Sequence, residues 1–320
     1  MIGFLSLFPL VFPSMSYINN TIEILIMALF GMSLHLLIGY AGLLSLGHCA
    51  FFAVGSYTTG LLLRETSLSV PFALFTGMVL AGPVGLIMGY FCTRLTGFYF
   101  AFLTLAFSQI IYVIVVRWVN LTGGDQGLIG GIPKPPMHFF GWFIDISSRL
   151  NFYYFTALLV CGSLILCKII IDSPFGWVLR CIRENPSRAR FIGFNVRRYQ
   201  VSIFIIAGIF GALAGGLTAL NINGAYPEHA YWIRGADPIF MILIGGMKSF
   251  AGPIVGAAVL VFLNIFITPH TRYFAFFLGA VLIFFIVFAR MGIVDFFVFK
   301  KEIWGKALGW EKIKILFGAK

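Results

Sequence analysis

The chain has 320 residues, of which 60% are hydrophobic and only 10% are charged, and its formal net charge is +11 at pH 7. Soluble globular domains carry about 25% charged residues, so this composition excludes a soluble domain. Apolar runs long enough to cross a bilayer recur along the length, and the alternating segments typical of a β-barrel are absent. The sequence therefore predicts an all-α polytopic membrane protein with about eight to ten transmembrane helices, some of them short or broken.

The positive charge is concentrated in two places. Of 22 Lys and Arg residues, six lie between Arg180 and Arg198 and six more between Lys300 and Lys320. Basic clusters of this kind mark the cytoplasmic side of a membrane protein, so we attribute the charge to topology and not to nucleic-acid binding. The arginine-rich loop and the basic tail 291–320, with the C-terminus, are expected in the cytoplasm.

Nine apolar runs are predicted to span the membrane, and Ile2–Phe12 would add a tenth, although Pro9 and Pro13 make it short. In chain order they are approximately Thr21–Ile38, Ser45–Leu63, Val70–Phe91, Phe98–Val119, Phe152–Ile171, Val201–Ile222, Asp237–Lys248, Pro253–Ile267 and Tyr273–Ala289. No long polar stretch separates them. The whole chain, 1–320, is therefore expected to form a single membrane domain.

The run Asp237–Lys248 is too short for an ordinary span. Only an even number of crossings can connect the arginine-rich loop to the basic tail if both are cytoplasmic. The three longer runs between them, Val201–Ile222, Pro253–Ile267 and Tyr273–Ala289, make three crossings, so this run has to cross as well. Its 12 residues cover about 18 Å as a helix, well short of a core of about 30 Å. A short or broken helix shielded by neighbouring protein is expected, which indicates a translocation route. The same count places the Asn120–Asn151 connection outside.

Catalytic and metal-binding motifs are missing from the sequence. The five histidines lack metal-ligand spacing, the five cysteines form no CxxC pair, and neither HExxH nor GxSxG occurs. The stretch GGMKS, Gly245–Ser249, fails the spacing of a phosphate-binding loop. We expect no cofactor, no metal and no catalytic residue, so that any ATP hydrolysis takes place on another chain.

A few ionisable residues lie at membrane depth, where they are costly and therefore functional candidates: Glu23, His35, His48, Asp237 and Lys248. Glu23 and Lys248 are close to span ends, where snorkelling explains them. His48 and Asp237, in stretches interrupted by glycine, serine or proline, remain candidates for lining a path.

The arginine segment, Ile182–Gln200, reads IRENPSRARFIGFNVRRYQ. Asn185 followed by proline predicts a helix start, and Gly193 predicts its end. The spacing places Ala189 and Ile192 on one side of this short helix. Between two spans, such a helix either docks on another protein or lies among lipid headgroups, and the residues alone leave both open.

Four stretches resemble permeases of branched-chain amino acid ABC transporters, of the LivM type. They are Ile38–Leu63, Leu121–Pro133, Leu179–Leu220 and Asp237–Leu260, and the resemblance extends from about Thr21 to Arg290. It implies a permease subunit of an ABC importer that carries branched-chain amino acids across the bacterial inner membrane. A urea or short-amide permease is the alternative within the class, and an ion-coupled secondary transporter is the alternative outside it.

The resemblance also implies partners and site residues. The partners are two cytoplasmic ATPase subunits of the LivG/LivF kind, a second, LivH-like permease, and a periplasmic or lipid-anchored substrate-binding protein. By position, the segment that couples to the ATPase comprises Glu184, Asn185, Arg188, Ala189, Gly193 and Asn195. The motifs that shape the path comprise Gly42, Ser45, Gly47, His48, Thr122, Gly123, Gly124 and Asp237. Asp237 stands where this family usually has glutamate, and Lys248 where it usually has a small residue.

Overall fold

The computed structural model describes residues 14–139, 142–267, 276–277, 279–281, 283 and 292–297. Two compact units make up the chain, Met1–Ile239 and Phe240–Lys320. The boundary between them falls inside the helix Trp232–Gly245. That the chain forms a single domain stays a prediction.

Eleven α-helices carry most of the described residues: α1 Met15–His35, α2 Cys49–Glu65, α3 Val70–Cys92, α4 Phe98–Arg117, α5 Val119–Thr122, α6 Arg149–Asp172, α7 Pro174–Glu184, α8 Pro186–Phe191, α9 Val196–Ile222, α10 Trp232–Gly245 and α11 Gly252–Ile267. A π-helical turn, Leu36–Ala41, extends α1, and 3-10 turns occupy Gly124–Gln126 and Pro227–Ala230. A short antiparallel hairpin pairs β1, Met137–Phe139, with β2, Trp142–Ile144.

Five of the described helices are long and apolar enough to cross a membrane: α1 with its π-helical turn, α3, α4, α6 and α9. Together with the shorter α2, α10 and α11, they correspond to the first eight predicted spans. The all-α polytopic fold is therefore confirmed. The predicted spans Ile2–Phe12 and Tyr273–Ala289, and the basic tail 291–320, lie wholly or mostly outside the described residues.

Two boundaries differ from the sequence-based prediction. The second span begins at Cys49 and not at Ser45, because residues 42–48 form a partly buried, non-helical connection before the helix starts. The short span begins at Trp232, five residues before Asp237, and ends at Gly245. The prediction placed the start of the span at Asp237. In the structure Asp237 forms an ion pair with Arg234, one helical turn earlier, and both residues lie inside the helix. At 14 residues α10 covers about 21 Å, so it is still short.

Helix α9 lies at the centre of the first unit, where it packs against α1, α2 and α3. Gly55 on α2 and Gly215 on α9 allow this contact. A β-carbon at either position would lie 1.9 Å from a carbonyl oxygen of the facing helix. In the most apolar stretch of α9, 83% of the residues are buried, and in that of α1 89% are buried. In the peripheral α4 the share is 28%. Gly55 and Gly215 thus serve close helix packing.

Candidate functional site

The arginine segment folds as its capping residues predict. The side chain of Asn185 accepts a hydrogen bond from the backbone N–H of Arg188 at 3.0 Å, and Pro186 takes the first helical position of α8. Gly193, with φ of 101°, follows the end of that helix. Asn195 then caps α9 by accepting from the N–H of Arg198 at 3.2 Å. Two side-chain caps therefore hold α8 between the preceding helix and α9.

The residues of α8 divide sharply by exposure. Ala189 is 2% exposed and packs in a cluster with Ile182 and Val196. Phe191 is 91% exposed and Ile192 75% exposed. The expectation that Ala189 and Ile192 share a side is therefore wrong. Helix α8 ends at Phe191, and Ile192 belongs to the exposed turn that follows it. The other predicted coupling residues, Glu184, Arg188, Gly193 and Asn195, are exposed, and Asn185 is half-buried.

Helix α7 was missed by the sequence analysis, although it fastens the arginine segment to α1. Arg183 donates a hydrogen bond to the carbonyl oxygen of Gly39 in the π-helical turn. The guanidinium of Arg180 lies 5.4 Å from the centre of the Tyr40 ring. Pro174 at the first helical position, with a buried apolar stripe behind it, is the signal that could have revealed α7.

Of the predicted path residues between α1 and α2, Ser45, Gly47 and His48 are buried and Gly42 is exposed. Gly42 has φ of 69°, and a β-carbon there would lie 3.1 Å from Arg183. A β-carbon on Gly47 would lie 1.8 Å from the carbonyl oxygen of Thr104. Ser45 is fully buried, and so is His48, whose Nε2 lies 2.8 Å from the hydroxyl of Ser33.

The TGG stretch, Thr122 to Gly124, forms a tight turn after α5. The Thr122 hydroxyl donates to the carbonyl oxygen of Trp118 at 2.8 Å, and both glycines have positive φ. A few residues on, Leu128 and Ala225 exchange two backbone hydrogen bonds, 2.7 and 3.1 Å long. This bridge joins the 118–148 connection to the end of α9 opposite the arginine segment, so α9 separates two distinct regions.

We call these regions the arginine end, residues 174–200, and the cavity end, residues 223–237. At the cavity end, Nη1 of Arg234 lies 2.9 Å from Oδ2 of Asp237. Two adjoining cavities open there and share Tyr226, Glu228 and Arg234 among their walls. One has a volume of about 270 Å³ and the other about 690 Å³.

Asp237 lines the larger cavity, together with Asp125, which directly follows the TGG turn. The remaining predicted path residues line neither of these two cavities. Sequence reasoning attributed Glu23 to snorkelling and passed over Glu228 and Arg234, although all three line the smaller cavity. The three-residue spacing of Arg234 and Asp237 within one helical turn is the signal that could have paired them.

In the second unit, GGMKS forms a turn closed by a carboxylate. Gly246 has φ of 126°, and a β-carbon there would lie 2.7 Å from the Asp295 carboxyl carbon. The backbone N–H of Lys248 donates to Oδ2 of Asp295 at 2.9 Å. The Asp295 carboxylate therefore occupies the position at which a phosphate-binding loop would hold its phosphate.

Comparison with known proteins decides the family. The family described as "Branched-chain amino acid transport system / permease component" matches residues 16–286. The chain belongs to this family. The match begins in α1 and continues beyond α11, so it contains both the arginine end and the cavity end.

Individual relatives agree with this membership. The high-affinity branched-chain amino acid transport system permease protein LivM of Escherichia coli is 29% identical over 289 residues, which cover 84% of this chain and 68% of the relative. A probable branched-chain amino acid transport permease protein LivM of Methanocaldococcus jannaschii is 25% identical over 57% of this chain and 53% of its own. A galactose/methyl galactoside import permease, MglC of Haemophilus influenzae, is 27% identical over the same shares. No solved structure shows a significant match.

Proposed function

We propose that this chain is the membrane-spanning permease subunit of an ABC importer that moves branched-chain amino acids across the bacterial inner membrane. The family match over residues 16–286 is the observation that carries the proposal. Within that family, the E. coli relative named for branched-chain amino acids matches 84% of the chain, and the galactose permease matches 57%. This difference favours amino acids over sugars as the cargo.

The arginine end faces the cytoplasm in this proposal, and the cavity end faces outward. Helix α9 has 27 residues, or about 40 Å, which is enough to connect the two sides of a bilayer core of about 30 Å. Six Lys and Arg residues between Arg180 and Arg198 support the orientation. We propose that the C-terminal tail lies in the cytoplasm as well.

Helix α8 is the proposed contact with the ATPase. Phe191 and Ile192 present apolar side chains beside the arginines, a combination suited to a groove on another protein. Movement of α8 would reach α1 through the bond from Arg183 to Gly39, and α9 through the cap at Asn195. The chain would thus convert ATP-driven motion outside the membrane into motion of its two most buried long helices.

The proposed assembly contains two LivG/LivF-like ATPases, a second, LivH-like permease and a substrate-binding protein on the outer side. ATP hydrolysis belongs to the ATPase subunits, and this chain contributes the path. Reconstitution of the whole assembly in proteoliposomes tests the proposal. We expect leucine uptake that requires ATP, both ATPases and the binding protein. Uptake by this chain alone, driven by an ion gradient without ATP, would contradict it.

The docking role of α8 has its own test, the substitution Phe191→Asp. Burying a phenylalanine in a partner's groove contributes about 1.5–3 kcal/mol, so we expect at least about tenfold weaker retention of the ATPase subunits in co-purification. Ile129→Asp is the matched control, because Ile129 is 62% exposed on the connection at the opposite end of α9. Equal retention by the two variants would show that α8 lies among lipids and not on the ATPase.

A further inference from the structure

The smaller cavity is built from three separate parts of the chain. Glu23, Ile26 and Met27 come from α1, Ile222 from the end of α9, and Glu228 and Arg234 from the segment that follows. Its volume of about 270 Å³ is close to the lower limit of ordinary small-molecule pockets, about 300 Å³. It therefore suits a ligand of few atoms.

Arg234 is held in place in the cavity wall with part of its hydrogen-bonding capacity unused. Its guanidinium donates to Asp237 and lies 5.5 Å from the centre of the Phe52 ring. A further contact joins Nη2 to the sulfur of Met27 at 3.9 Å. Nε is buried and has no hydrogen-bond partner among the described residues. A guanidinium held in the cavity wall by these contacts is suited to a carboxylate.

The opposite charge comes from two glutamates. Glu23 and Glu228 line the same cavity, and neither forms an ion pair within the part of the chain that the structure describes. Glu23 lies eight residues into α1, about 12 Å along its axis, where an unpaired carboxylate is costly and has a functional reason. Two carboxylates near one arginine favour a ligand that brings its own positive charge.

Part of the remaining wall is apolar, and the rest is formed by the polar residues Thr218, Asn221, Tyr226 and His229. Ile26, Met27 and Ile222 line the cavity beside the charged groups. An aliphatic side chain removed from water against these three residues gains about 0.8 kcal/mol per buried CH₂. The cavity thus combines a carboxylate partner, ammonium partners and an apolar surface.

We infer that this cavity is a transit site for a zwitterionic aliphatic α-amino acid released by the binding protein. Arg234 receives its carboxylate, Glu23 and Glu228 receive its ammonium group, and the apolar wall receives its side chain. This inference rests on the proposed function, since it assigns that function's cargo to particular residues. The binding protein selects the ligand, and this site passes it on in a fixed orientation.

The test is the amount of leucine accumulated per ATP hydrolysed by the complete reconstituted assembly. Glu23→Gln keeps the size of the side chain and removes its charge. We expect about a tenfold loss of leucine per ATP, the equivalent of one hydrogen bond to a charged group, with unchanged ATP hydrolysis in response to the loaded binding protein. Glu23→Asp keeps the carboxylate and is expected to recover most of the wild-type ratio.

Glu65→Gln supplies the matched control, because its side chain is 67% exposed and lines neither cavity. It should leave both measurements unchanged. The inference is overturned if Glu23→Gln accumulates as much leucine per ATP as the wild type. It is also overturned if uptake and hydrolysis fall in parallel, because Glu23 then acts on coupling. A wild-type assembly that accumulates no branched-chain amino acid would instead refute the proposed function.

Discussion

The two ends of α9 are held in place by different kinds of bond. At the arginine end, single side chains cap the helices, namely Asn185 for α8 and Asn195 for α9. At the cavity end, the backbone of Leu128 pairs with that of Ala225 through two hydrogen bonds. The arginine end is also largely exposed, whereas Leu128 and Ala225 are buried.

This difference fits the two tasks that we propose for the ends. A side-chain cap such as that of α8 contributes only about 1 kcal/mol, so the arginine end can adjust to a moving partner. A buried backbone pair is much more costly to break, because each polar group left unpaired costs about 1–3 kcal/mol. The cavity walls are therefore pre-organised, and the adjustable part lies at the opposite end.

Breaking the cavity end should have the largest effect. Gly127 has φ of 68°, and a β-carbon there would lie 2.4 Å from the carbonyl oxygen of Ala225. We expect Gly127→Ala to break the Leu128–Ala225 pair at a cost of about 3 kcal/mol or more, and to lower the yield of monodisperse protein sharply. Size-exclusion chromatography of fluorescently tagged protein measures this yield.

Gly131→Ala is the control for a side chain at positive φ. Gly131 has φ of 70° but open space around the position of a β-carbon. Both variants therefore place a side chain at positive φ, and Gly127→Ala adds the collision and, at ψ of −166°, a backbone conformation that is essentially restricted to glycine. Equal yields of the two variants would mean that the backbone pair does not hold the cavity end.

Weakening the arginine end should have an intermediate effect. Asn185→Ala removes the cap of α8 at a cost of about 1 kcal/mol, so we expect up to about a fivefold loss of ATP hydrolysis in the complete assembly, with normal insertion of the chain. Asn185→Asp keeps an acceptor for the N–H of Arg188 and should retain the activity. A loss that is the same in both variants would point to the amide itself and not to the cap.

The sequence predicted the helices well because their signals are local. Apolar length identified the spans, and Asn185, Pro186 and Gly193 identified α8, since capping depends on residues a few positions apart. The direction in which Ala189 faces was beyond such reasoning. It depends on Ile182 and Val196, which belong to the helices on either side.

The cavity end was harder to predict because its parts are distant in the chain. Glu23 and Arg234 are separated by most of the first unit, and only the tertiary fold brings α1 and the start of α10 to one cavity. For His48 the local sequence and the fold point in different directions. Its local context indicated a path, yet the fold buries it against Ser33 and Phe30.

The smallest expected effect is a change of protein stability with pH, which comes from Lys134 on the 118–148 connection. Burial, with a smaller contribution from Arg149, lowers the pKa of Lys134 from its usual 10.5 to about 8, and the ammonium lies 4.9 Å from the centre of the Phe152 ring. Between these pH values the unfolded chain binds more protons, so the stability contributed by this group rises with pH.

Lys134→Met removes the titration. We expect this variant to be the more stable protein near pH 7, and its advantage to shrink as the pH rises from about 8 towards about 10. The change should be only about 1–2 °C in Tm, because Lys134 is half-buried and solvent screens its charge. Thermal unfolding of both proteins across this range measures it. A difference that does not vary with pH would show that Lys134 keeps its ordinary pKa.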